Sequence, residues 1–194
     1  MNPSNNTINI HNAIIFAAKA HEGQVRKGTD IPYIVHPMEV MQILTENHCD
    51  ETVILAGILH DTLEDTPTTP EDIRRNFGQV VLDLVQNESE DKSKTWKERK
   101  QATIDHLANA SKEVQLVCCA DKLSNIKSIY VDQLILGDDV FKRFNAPKEK
   151  IRWYYESIAN ALTKIDGHTM KQQYVALVKA VFSTKKESRS LVTP

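Results

Sequence analysis

Four ionisable side chains fall within six positions of the segment Leu59-His60-Asp61-Thr62-Leu63-Glu64-Asp65-Thr66. His60 and Glu64 are four apart, as are Asp61 and Asp65, and Asp61 and Glu64 are three apart. On a helix those offsets place them along one strip of surface. The surrounding residues, 53–63, are nearly all apolar and read as a buried helix. Burying four such groups is costly unless a cation or other partners compensate them. A mixed imidazole and carboxylate set suits a divalent ion such as Mn²⁺, Fe²⁺, Zn²⁺ or Mg²⁺. The plainer account is a solvated helix end, but Glu64 and Asp65 would then oppose the helix dipole at its C-terminus.

A second acid, Asp121, stands in Ala120-Asp121-Lys122-Leu123-Ser124-Asn125, directly after the apolar run Leu116-Val117-Cys118-Cys119-Ala120. It needs a partner there, and either a shared metal or a buried lysine would serve. His36, in Tyr33-Ile34-Val35-His36-Pro37, by itself reads as a structural residue more readily than as a ligand.

The elements that must carry these residues read as helices throughout. Residues 10–20 have apolar spacing along one side, and 23–34 form a loop containing Gly28, Thr29, Asp30 and Pro32. Pro37 opens a helix with His36 just before it, and Asp50 is placed to cap the next one. Thr66-Pro67 stops that helix, and Thr69-Pro70-Glu71-Asp72 starts another that ends near Phe77-Gly78. Further helices are expected over 80–85, 96–107, 112–130, 148–164 and 170–182. Residues 87–95 read as an exposed loop and 137–147 as a short connection. The fold expected is all-α, a single helical domain over 1–182 with a frayed polar tail over 183–194.

Composition narrows the function classes. A chain of 194 residues with 41% hydrophobic and 26% charged residues is globular, and buries enough surface to fold without disulfides. Its formal net charge of −2 gives no general attraction to nucleic acid or to acidic lipid. Three cysteines, Cys49, Cys118 and Cys119, make no disulfide framework and no C-x-x-C, and the adjacent pair reads as core. No stretch approaches the ~20 apolar residues of a membrane span, and the N-terminus has no signal-peptide pattern. A cytoplasmic protein is expected, with no membrane and no nucleic-acid partner; its oligomeric state is open.

A histidine, a His-Asp pair and a distant aspartate, in that order on separate helices, resemble the ligand pattern of the HD-domain phosphohydrolases. The flanking residues narrow the likeness. Ala20-His21-Glu22-Gly23-Gln24-Val25-Arg26-Lys27-Gly28, Pro32-Tyr33-Ile34-Val35-His36-Pro37, the segment from Leu59 to Thr66, Phe77-Gly78 and Ala120-Asp121-Lys122-Leu123-Ser124-Asn125 follow in order. Together they resemble the hydrolase domain of RelA/SpoT-type alarmone enzymes over roughly residues 8–130. Without synthetase or regulatory domains, the chain looks like a small stand-alone alarmone hydrolase.

The resemblance implies an HD-domain helical bundle and a role for each position. His36, His60, Asp61 and Asp121 would bind the metal, most often Mn²⁺ in this family. Glu64 and Asp65 match paired acids that orient or activate water. Arg26 and Lys27 match residues that pack against the nucleotide base, and Asn125 matches one near the base and ribose. The chemistry agrees: a metal lowers the pKa of water and offsets phosphoryl charge, carboxylates manage the proton, and guanidinium stacks on a purine.

Three departures stand out. Lys122 and Ser124 occupy positions where many long members have arginine and histidine, which bears on nucleotide selection. The segment 87–99 keeps a basic character, with Lys92, Lys94, Lys97 and Arg99 as candidates for the pyrophosphate, but starts acidic. Phe144, Trp153 and Tyr154 fall outside the mapped stretch and read as packing residues.

The activity implied is hydrolysis of the 3′-pyrophosphate of a guanosine or adenosine alarmone such as ppGpp, releasing pyrophosphate. Two alternatives stay open. The same site would serve another nucleotide or a phosphorylated dinucleotide cofactor, since a fold does not fix a substrate. A non-catalytic nucleotide-binding regulatory module would keep the fold, although intact Glu64 and Asp65 argue for catalysis.

Overall fold

The computed structural model describes residues 3–87 and 93–183. Part of the expected 87–95 loop, including Lys92, and all of the expected polar tail except Ser183 lie outside the described residues. Ten α-helices and two 3₁₀ segments make up the regular structure among the described residues. No strand occurs there beyond one antiparallel bridge between Val25 and Pro32, which pinches the loop after the first helix. The all-α expectation holds.

The helices are α1 Pro3–Ala20, α2 Val35–Glu46, α3 Glu51–Leu59, α4 Thr62–Asp65 and α5 Pro70–Phe77. They continue as α6 Gln79–Gln86, α7 Trp96–Asn109, α8 Lys112–Leu136, α9 Lys148–Ala161 and α10 Thr169–Phe182. Local chemistry sets several boundaries. Thr69 and Asp72 form a reciprocal capping box at α5, with Pro70 following the cap. Thr95 and Glu98 do the same at α7. Asp50 occupies the cap position of α3, but its side chain makes no capping bond.

Two boundaries differ from the sequence reading. α8 runs six residues past Tyr130, because no proline or glycine intervenes before Gly137, whose φ of 57° ends it. α3 stops at Leu59 instead of continuing to Leu63. There the His60 ring bonds the Gly57 carbonyl at 2.9 Å and the Thr62 hydroxyl bonds the Leu59 carbonyl at 2.7 Å. These side chains compete for carbonyls that a continuing helix would use. His60 and Asp61 therefore sit in a turn between two helices, not on one uninterrupted strip.

α8 is the central element, packed by α2, α3 and α10, and α3 is further covered by α1 and α6. Val117, Cys119, Ala120, Leu123 and Ile126 of α8 are fully buried in that core. Cys118 and Cys119 are core residues as expected, and burial pushes the Cys119 thiol up to about 12. None of the described helices is long and apolar enough to cross a membrane.

Candidate metal centre

Three helices deliver the centre. The first turn of α2 carries His36, the turn closing α3 carries His60 and Asp61, and the middle of α8 carries Asp121. α2 and α3 approach closely at Gly57, where a Cβ would lie 2.4 Å from Leu44 Cδ1 and 3.1 Å from Val40 Cγ1. Only glycine fits that crossing, and the carbonyl of the same residue fixes the His60 ring.

His36 and His60 are each 2% exposed. His36 Nε2 lies 3.1 Å from Asp121 Oδ1 and 3.6 Å from Asp61 Oδ2. His60 Nε2 lies 2.9 Å from Asp61 Oδ2 and 3.8 Å from Asp121 Oδ1. Ligand atoms of His36, His60 and Asp121 lie within 4.8 Å of one another, and Asp61 Oδ2 lies beside both histidines.

The outer nitrogens decide what faces inward. A carbonyl only accepts, so His60 Nδ1 carries its proton toward Gly57 and leaves Nε2 with a lone pair in the neutral ring. At His36 the outer partner is Ser124 Oγ, 2.9 Å from Nδ1. That hydroxyl donates its own proton to Glu39 Oε2 at 2.8 Å, so it accepts from His36 Nδ1. Two imidazole lone pairs and two carboxylates thus converge on one buried point, which a divalent cation satisfies. This donor set fits the ion that the residue types suggested.

Electrostatics runs the same way. Burial pushes the His36 pKa down, against the pull of Asp121, so the ring favours its neutral form. Burial, the largest single influence, raises Asp61 and Asp121, but His60 and His36 together at the first, and Lys122 with the two histidines at the second, leave both carboxyls below their usual range. Lys122 Nζ is paired with Asp121 Oδ2, so the lysine partner considered for this acid is present alongside the histidines.

A cavity of about 280 Å³ opens beside His36. Arg26, Tyr33, Glu39, Asn125, Arg143 and Phe144 are among its walls, and Lys27 stands at its edge. Arg26 lies 5.6 Å from the Tyr33 ring centroid and donates to Asn125 Oδ1 at 2.7 Å. Asn125 Nδ2 in turn donates to Asp121 Oδ1. Lys27 reaches Asn145 at 3.1 Å. Arg143 pairs with Asp132 at 2.6 Å. Arg26, Lys27 and Asn125 thus come together at this cavity. Phe144, expected to be a packing residue, lines it as well, while Tyr154 is buried as expected.

Glu64 and Asp65 occupy α4, the single turn directly after Asp61, and the Asp65 carbonyl is held by Gln24 at 2.7 Å. Of the expected basic residues, Lys97 lies 3.2 Å from the Trp153 ring centroid. Lys100, 4.9 Å from the Tyr154 ring centroid, was not singled out in the sequence, whereas Lys122 was noted as a departure bearing on nucleotide selection. No role was expected of Tyr33, whose hydroxyl donates to Asp61 at 2.6 Å, or of Glu39, and none beside the centre was expected of Ser124. Tyr33 and Ser124 stand inside the quoted motifs, which was the available signal; Glu39, one helical turn after His36, carried none.

The HD domain family matches residues 13–137. A relative from Xenopus tropicalis, the guanosine-3′,5′-bis(diphosphate) 3′-pyrophosphohydrolase MESH1, is 41% identical over 117 residues, which is 59% of this chain and 65% of that protein. The chain thus matches just under two thirds of that relative's length. A crystal structure of a Listeria monocytogenes EGD-e protein is similar with a TM-score of 0.73 at 34% identity, covering 77% of this chain and 99% of that one. The structure of a metazoan ortholog of SpoT that hydrolyses ppGpp is similar with a TM-score of 0.77 at 26% identity, covering 91% and 97%.

Proposed function

The chain belongs to the HD-domain family, and on that footing we propose that it is a divalent-metal-dependent hydrolase that removes the 3′-pyrophosphate of a guanosine alarmone such as ppGpp. The observation that carries the reading is the convergence of His36 Nε2, His60 Nε2, Asp61 Oδ2 and Asp121 Oδ1 on one buried point beside the cavity. These four residues would hold the ion, with Mn²⁺ the one expected. When bound, such an ion polarises a phosphoryl oxygen and lowers the pKa of water.

The chain's own residues supply the rest of the reaction. Arg26 offers a planar guanidinium to the base, braced by Asn125. Asn125 and Lys27 orient the nucleoside so that its 3′ side faces the centre. Lys122, paired with Asp121, would offset negative charge on the departing pyrophosphate, with Lys100 as a second cation. Glu64 and Asp65 take the proton from the attacking water. The water oxygen bonds to the phosphorus next to the ribose, the bond from that phosphorus to O3′ breaks, and O3′ leaves as a hydroxyl after taking up a proton. The products are pyrophosphate and a nucleotide with a free 3′-hydroxyl. Three cysteines, none of them in a disulfide, fit a reducing cytoplasmic setting.

The experiment is incubation of the protein with Mn²⁺, and separately with EDTA, against 3′-pyrophosphorylated guanosine and adenosine nucleotides, ordinary nucleotides and a phosphorylated dinucleotide cofactor. Chelator-sensitive release of pyrophosphate from the first group is the expected result. Cleavage confined to the others would replace the substrate, and silence throughout would replace catalysis with binding.

A further inference from the structure

We propose that Glu39 is the residue that reads guanine against adenine in this cavity; the inference rests on the nucleotide reading above. Glu39 stands one helical turn after His36 on α2, in the wall of the cavity. One of its oxygens accepts from the fully buried Ser124 hydroxyl at 2.8 Å, so the side chain is anchored instead of swinging through solvent. The cavity has a second acid, Asp132, but Arg143 neutralises it at 2.6 Å. Glu39 makes no ion pair among the described residues, and its other oxygen has no donor among them.

A carboxylate only accepts hydrogen bonds, and each of its oxygens accepts more than one. Guanine presents two adjacent donors on one edge, the N1–H and the 2-amino group, which match the two oxygens of a carboxylate. Adenine presents a bare lone pair at N1, which a carboxylate repels. Apolar walls from Ile31, Val35 and Ile129 leave the flat faces of a base in good company while Glu39 reads its edge. Arg26 then supplies the stack and Glu39 the discrimination.

The test is calorimetric titration of the Mn²⁺-loaded full chain with guanosine 5′-diphosphate and adenosine 5′-diphosphate, which have no 3′-pyrophosphate to lose. The expected preference for guanosine is about 10- to 100-fold, the span of one or two charge-assisted hydrogen bonds. Glu39→Gln keeps an acceptor for Ser124, so Mn²⁺ affinity stays within about twofold, while the base preference collapses through weaker guanosine binding. Equal affinities in the parent protein, a preference that survives Glu39→Gln, or no binding of either nucleotide overturns the assignment. So does a parallel loss of Mn²⁺ and of both nucleotides in Glu39→Gln, which would make Glu39 a positioning residue alone. Failure of the hydrolase reading shows separately, as no chelator-sensitive pyrophosphate release whatever the two affinities are.

Discussion

Tyr33 donates its phenolic proton over 2.6 Å to Asp61 Oδ2, the same oxygen that faces the inner nitrogens of His36 and His60. Burial, followed by the negative charge of Asp61, pushes the Tyr33 pKa far up, so the hydroxyl keeps its proton and remains a donor. A residue of the loop after α1 thereby fixes the orientation of a carboxylate from the turn after α3.

Tyr33→Phe keeps the ring and removes only that donor. Groups that orient a ligand typically cost about 10- to 100-fold in metal affinity when lost. A drop of that size in Mn²⁺ affinity, read by calorimetry on the chelated protein, is expected; an unchanged affinity would mean that Asp61 is oriented by its histidines alone.

Asp61→Ala and Glu64→Ala separate holding the ion from doing the chemistry. The first is expected to abolish metal binding and turnover together. The second is expected to spare metal binding and to lower the rate at least ~10²-fold, as removal of a proton-handling group does. Glu64→Ala with an unchanged rate would end the role given to that carboxylate.

Gly57→Ala tests the crossing that brings the histidines together. The new Cβ would meet Leu44 and Val40, so overpacking of about 1–3 kcal/mol is expected. For a chain of this size that is roughly 2–4 °C in melting temperature for each kcal/mol. Because the Gly57 carbonyl holds the His60 ring, metal affinity should fall in the same variant; a melting temperature equal to the parent's would refute the tight crossing.

Acid should weaken the metal-free protein in two steps. Burial holds His36 below its ordinary value, and His168 is lowered by burial and by Lys112. As pH falls below ~6.5 the unfolded chain takes up protons that these rings refuse, so stability declines from that point downward. The depressed carboxyls of Asp61 and Asp121 stabilise the fold above the ordinary carboxylate range, and that contribution is lost only as pH falls through their lower folded values. Urea midpoints of the chelated protein between pH 8 and 5 would check the first step. A flat profile would contradict it, and His36→Gln should reduce its slope.

Much of this was legible in the chain because buried charge on an apolar helix is conspicuous. His60, Asp61 and Asp121 stand out against their neighbours, and the structure brings them near His36. The helix break at His60 was not legible, because it depends on side chains of His60 and Thr62 capturing carbonyls of the preceding turn, and helical spacing alone does not register that competition. Glu39 was invisible for a different reason. It is an ordinary polar residue on an amphipathic helix, and only the packing of α2 on α8 places it against Ser124. Phe144 lies far along the chain from the loop it faces, so no local pattern could put it in the cavity wall.

Asn125 has both ends of its amide engaged, one by Arg26 in the cavity and the other on Asp121 at the centre. A ligand that draws Arg26 onto itself leaves that amide without its outer anchor, and the hold on Asp121 changes with it. Ion and nucleotide then cease to be independent guests. By thermodynamic reciprocity, whatever factor the ion imposes on nucleotide affinity, the nucleotide imposes on the ion. A single asparagine would make occupancy of the two sites cooperative.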